Sequence, residues 1–218
     1  MYSLYWLFCV GPLALYLLFL GWANTRRKPF VLSGAIDTGL LGLALCGFVV
    51  IGPMRMFLPD LAAAQYGFYT WLMILSLYGL CLTSILLMSR PRIVIYNTSS
   101  EQVQQTLREL SQTLDPETRW AGTNLSMPTL GISLHLENSP TTANIQLVSS
   151  GETQDYSNWM NLEAELRRAL EGSHSSKRFG LLQLLAGAFL LVACCYQLIT
   201  IEEAEFVSAA KELFFIRD

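Results

Sequence analysis

Histidine and charge are what this chain has least of. Two histidines, His135 and His174, occur in 218 residues, and charged side chains make up 14% of the sequence against 52% hydrophobic. Each scarcity removes a class of chemistry. Two isolated imidazoles form no H-E-x-x-H pair and no zinc cluster, and neither a P-loop nor a G-x-S-x-G elbow is present. His135 and Glu137 share one face of a strand, but no third group joins them, so they read as polar side chains on the strand's outer side. The five cysteines (Cys9, Cys46, Cys81, Cys194, Cys195) all lie in apolar stretches, away from any metal-ligand spacing or polar disulfide framework. They read as small apolar side chains. No enzyme, cofactor or metal is expected.

Soluble domains carry about a quarter charged residues. The deficit here, with a mean hydropathy of +0.39, points to a membrane. Four runs approach or exceed the roughly 20 apolar residues that a crossing needs: 4–22, 30–52, 70–89 and 179–200. The first has no basic residue before it and a basic cluster after it, the pattern of an uncleaved anchor rather than a secretory leader.

Lysine and arginine in the short flanks set the orientation. Arg26, Arg27, Lys28, Arg90, Arg92, Lys177 and Arg178 fall on one side of this four-span alternation. Arg55, Lys211 and Arg217 fall on the other. Both termini are therefore expected outside the cytosol, in a plasma or bacterial inner membrane, with residues 91–176 cytosolic.

That polar segment predicts a small α+β domain of order β-α-β-β-β-α inserted between spans 3 and 4. "RIVIY" (92–96) is a strand. Thr98 and Glu101 form a capping box before a helix with Val103, Leu107, Leu110 and Leu114 on one stripe. "TRWAGTNLSM", "LGISLHLEN" and "ANIQLV" are strands. A second helix aligns Trp159, Leu162, Leu166 and Leu170 and ends at Gly172. Across 93–172 four arginines face ten acids, a net of −6, which repels phosphate and excludes nucleic acid as a partner.

The second span holds one charge, Asp37. Counted from Phe30 it would lie about 10 Å inside the apolar layer at 1.5 Å per residue, where a carboxylate costs roughly 2.5–3.5 kcal/mol. Matching depths on the other spans select Tyr16, Thr83, Ser84 and Gln183 as its polar neighbours, an interhelical layer with a structural or ion-linked role. The same span carries two rows of small residues, Gly34, Thr38, Gly42 and Cys46 beside Ala35, Gly39 and Gly47, interrupted by Leu43. Such a face lets helices approach closely in lipid.

The tail, 201–218, sets Phe206, Ala210, Leu213 and Phe214 apart from Glu203, Glu205 and Glu212, an amphipathic extracytosolic helix with an acidic side. The functional expectation is a membrane scaffold, accessory or sensor subunit. It would contact lipid and dock protein partners through the cytosolic domain or the tail. A small transporter or ion-linked channel, a homo-oligomer built around Asp37, is the alternative.

Overall fold

The computed structural model describes residues 2–26, 28–49, 51–52, 65–67, 69–139, 144–151, 155–172, 180–200 and 207. The tail helix expected over 201–218 thus lies almost wholly outside the described residues. The elements run α1 (Tyr2–Thr25), β1 (Phe30–Ser33), α2 (Gly34–Val49), α3 (Tyr69–Met88), β2 (Arg92–Tyr96), α4 (Ser100–Leu114), β3 (Arg119–Ala121), β4 (Asn124–Met127), β5 (Ile132–Ser139), β6 (Asn144–Ser149), α5 (Tyr156–Glu171) and α6 (Gly180–Thr200). The chain divides into two compact units, one of residues 1–19, 39–88 and 183–218 and one of 20–38 and 89–182.

The second unit is built on a six-stranded antiparallel sheet in the order β1-β2-β6-β5-β4-β3. Alternation along the strands sends Val31, Ile93, Ile95, Leu125, Met127, Ile132, Leu134, Leu136, Ile145 and Leu147 to one face. There they share a core with Val103 and Leu107 of α4 and Trp159, Leu162, Leu166 and Leu170 of α5. The opposite face carries Arg92, Val94 and Tyr96 on β2, Gln146 on β6 and His135 and Glu137 on β5. Of these, Val94 and Tyr96 are buried.

Three expectations change. Residues 30–33 are a strand, not the start of a membrane helix: Phe30 pairs with Tyr96, Val31 with Ile95, Leu32 with Val94 and Ser33 with Ile93. A wholly apolar run has no periodicity to separate strand from helix, and the unpaired edge of β2 captures its aromatic and β-branched start. Pro29, just before β1, suits an edge-strand entry. Second, "TRWAGTNLSM" is two strands, because Gly122 (φ +63°) opens a two-residue turn that pairs Ala121 with Asn124. The domain order from β2 onward is therefore β-α-β-β-β-β-α. Third, the α4 cap is Ser99, whose Oγ accepts from the Gln102 amide at 3.3 Å. Thr98 instead donates to the Gln102 side chain.

The first unit is helical. Among the described residues, three helices are long and apolar enough to cross a membrane: Trp6–Thr25, Tyr69–Met88 and Gly180–Thr200. The 16 residues of α2 span about 24 Å, short of the roughly 30 Å hydrocarbon layer. Small residues mark where these helices meet. A Cβ on Gly47 of α2 would overlap the Phe8 carbonyl of α1, and Cys9 Sγ reaches the Gly47 carbonyl at 3.6 Å. Gly42 faces Leu82 of α3, whose Tyr78 hydroxyl donates to the Gly42 carbonyl at 2.5 Å. Gly187 of α6 lies against the backbone of Ala14 and Leu18 in α1. Outward, Leu80, Leu87, Met88, Phe189 and Ile199 are largely exposed, an apolar surface of the kind that lipid covers.

Candidate functional site

A cluster of polar side chains in the second unit surrounds the first turn of α2. Because β1 occupies residues 30–33, Asp37 sits only three residues into the helix, in its first turn, where the positive end of the helix dipole favours a carboxylate. The depth reckoned from Phe30 therefore does not apply. Tyr96 Oη donates to Asp37 Oδ1 at 2.5 Å, and Arg92 Nη2 stands 3.6 Å from Oδ2. The same nitrogen donates to Thr38 Oγ1 at 2.7 Å, while Arg92 Nη1 reaches Gln146 Oε1 at 3.5 Å. Thr38 in turn donates to the Gly34 carbonyl at 2.8 Å. Side-chain exposures of 14% for Asp37 and 32% for Arg92 place the pair in a partly desolvated setting, where water screens it incompletely.

Gly34 makes this geometry possible. A Cβ there would overlap Arg92 Cγ, so the guanidinium reaches Thr38 and Asp37 only by passing over a bare backbone. Beyond Tyr96, the Phe30 ring lies 6.4 Å from the Tyr96 ring, and Asn97 (φ +59°) binds the Arg26 carbonyl through Nδ2.

Among the described residues, the side-chain partners of Asp37 are thus on β2. Thr83 and Ser84 donate to the Gly79 and Leu80 carbonyls of their own helix, at 2.7 and 2.8 Å. Tyr16 and Gln183 are half-buried in α1 and α6. Of the small-residue rows, Gly34 and Thr38 belong to the Arg92 cluster, Gly42 and Gly47 meet α3 and α1, and Gly39 touches Leu86 at 3.8 Å. Ala35 is exposed, Cys46 half-buried and Leu43 63% exposed.

Arg92, Tyr96 and Gln146 escaped sequence reasoning. From sequence, Arg92 counts only as a flanking charge that sets topology. Yet in "RIVIY" positions 92, 94 and 96 share a face, which already put a cation and a phenol together, opposite Ile93 and Ile95.

Two other polar groupings occur. His135 Nε2 and Glu137 Oε1 lie 2.7 Å apart on the open sheet face, and among the described residues no three His, Cys, Asp or Glu side chains gather as a metal site would require. Asp115, fully buried at the end of α4, accepts from the Thr129 hydroxyl at 2.7 Å, the Thr129 amide at 2.9 Å and the Glu117 amide at 2.9 Å. The Thr129 hydroxyl, with the backbone amides, holds its pKa below the ordinary carboxylate value against the opposing effect of burial. This carboxylate ties α4 to the turn between β4 and β5.

No protein-family model, curated protein or solved structure matches this chain.

Proposed function

We propose that the protein is a non-enzymatic scaffold, accessory or sensor subunit of a membrane assembly, whose sheet domain docks a protein partner. In this reading the chain crosses the membrane four times, with α2 as the short second span, both termini outside and the sheet in the cytosol of a bacterial or plasma-membrane system. The carrying observation is the closed polar cluster at the head of α2. Asp37 is engaged by Tyr96 and Arg92, and Arg92 also engages Thr38 and Gln146. A carboxylate so engaged is suited to fastening a helix to a sheet rather than to binding a transported ion. The chain adds to that fastening, since Ser33 of β1 is followed directly by Gly34 of α2.

The surface offered to a partner is the polar part of the sheet face opposite α4 and α5, with Asn124, Ser126, Ser133, His135 and Glu137 along β4 and β5. The test is isolation of the full chain in mild detergent with mass analysis of what accompanies it. A distinct subunit at fixed stoichiometry, released by Ser133→Arg or Glu137→Arg without loss of fold, supports docking. A pure homo-oligomer whose ion flux disappears in Asp37→Asn would replace this reading with the transporter.

A further inference from the structure

Just past the C-terminal end of α1, Arg26 is held against two aromatic rings. The Arg26 guanidinium lies 4.4 Å above the Trp22 ring and 5.6 Å from the Phe30 ring, and these two rings meet edge to face at 6.0 Å. Its backbone is fixed on both sides: the amide donates to the Trp22 carbonyl at 3.1 Å, and the carbonyl accepts from Asn97 Nδ2. Asn97 is buried and in the left-handed conformation, which asparagine tolerates. Trp22 remains 49% exposed, and both Arg26 and Lys28 are exposed. Among the described residues no carboxylate forms an ion pair with Arg26.

A guanidinium stacked on aromatic faces keeps its edge N–H groups free, and its fork matches two phosphate oxygens. Trp22 stands three residues before the end of a membrane-length apolar segment, Trp6–Thr25, where indole rings settle at headgroup level. From these observations we infer that Trp22, Arg26 and Phe30, braced by Asn97, form a clamp for the phosphate of an anionic phospholipid headgroup. Lys28 supplies a second, looser positive charge. The stacking fixes the plane of the fork before lipid arrives, so little side-chain freedom is lost on binding. This inference rests on α1 lying in a membrane, but not on the docking role proposed for the sheet.

The test uses the full chain in nanodiscs of equal phosphatidylglycerol and phosphatidylcholine, extracted into mild detergent and weighed with its retained lipid. The wild type should keep phosphatidylglycerol preferentially. Arg26→Gln should lower that preference about fivefold, the effect of one interfacial cation, with an unchanged thermal midpoint. Arg26→Lys should retain only part of it, because charge survives but the stacked fork does not. Arg90→Gln, which removes an exposed flanking charge outside the clamp, should leave it intact. Equal losses in Arg26→Gln and Arg90→Gln would show diffuse charge and overturn the clamp, as would full retention in Arg26→Gln. Millimolar inorganic phosphate should not displace the lipid, and displacement would reassign the site to free phosphate. Should Arg26→Gln fold poorly, the contrast of Arg26→Lys with wild type decides alone. Capture of a protein partner by the sheet should be the same in all these variants, so failure here leaves that reading standing.

Discussion

The Tyr96 hydroxyl lies 2.5 Å from Asp37 Oδ1 although 59 residues separate the two in the chain. Tyr96 is 1% exposed, and its register opposite Phe30 sets it on the face that α2 leaves from. The bond therefore depends on β1 being a strand: continued helix from Phe30 would remove the pairing that aligns Tyr96 with the start of α2. Asp37 is thus a first-turn carboxylate bound to side chains of the sheet.

Asp37→Asn should fold and assemble with a small loss of stability, because an amide oxygen still accepts from Tyr96 while the ion pair disappears. Asp37→Leu should cost about 1–3 kcal/mol, since it removes the acceptor of the Tyr96 hydroxyl and the anionic partner of Arg92. Thermal unfolding of the two variants in the same detergent measures this. Equal midpoints for both would remove the hydrogen bonds from the account.

Gly34→Ala tests the same cluster without touching a polar group. The methyl would displace the Arg92 side chain, whose nearest atoms lie within contact of the added Cβ. A loss of about 1–3 kcal/mol is expected, as in other overpacked sites. Combined with Arg92→Ala it should add little further, because residues that share one contact are not additive. Full additivity in the double mutant would show that Gly34 acts through something other than Arg92.

The two amphipathic helices were readable because their stripes have a 3.6-residue period, and Trp159, Leu162, Leu166 and Leu170 are all buried. The alternation in "LGISLHLEN" likewise marked β5. What escaped was non-local or lacked a period. β1 is uniformly apolar, so nothing in its pattern announces a strand. The Gly122 turn had a signal, a Gly-Thr pair between two short β-forming stretches, and a hairpin reading of it was open. The Asp37 partners required knowing that strand 30–33 pairs with 93–96, which no local rule supplies. Counting depth from Phe30 assumed helical rise through residues 30–33, which belong to the sheet.

Asp115 predicts an acid limb of stability. Its folded pKa is lowered, chiefly by the Thr129 hydroxyl, so its contribution is complete above the unfolded value of about 3.9. That contribution fades as pH falls through the lower folded value. Thermal midpoints of the full chain from pH 6 to pH 2 should therefore drop more steeply for wild type than for Asp115→Asn. Thr129→Val should reduce the steepness as well. An unchanged acid limb in Asp115→Asn would assign it to other carboxylates.

The proposed orientation is checked by labelling single cysteines in intact cells, on a background with the five native cysteines replaced. A membrane-impermeant maleimide should modify Ala63→Cys and leave Ser150→Cys unmodified until the membrane is opened. Ser150 is exposed on the sheet domain, so protection there cannot come from burial. Modification of Ser150→Cys in sealed cells would place the sheet outside and invert the topology.

The helical glycines give a graded series, because what each added methyl would meet differs. At Gly47 it would meet the carbonyl and backbone of Phe8, which cannot yield without moving α1. At Gly42 it would meet the end of the Leu82 side chain, which can turn to another rotamer. At Gly39 the nearest atom is 3.8 Å away, ordinary contact. Gly47→Ala should therefore destabilise most, by about 2–3 kcal/mol, Gly42→Ala by about 1 kcal/mol or less, and Gly39→Ala least. Leucine at 42 should cost more than alanine, while Leu41→Ala on the exposed side should be mild. Close helix packing in lipid draws on backbone approach at small residues, so the ranking separates contact from composition. If Gly47→Ala and Gly39→Ala were equally tolerated, the α1–α2 approach would not be tight, and the glycines would be read as lipid-facing.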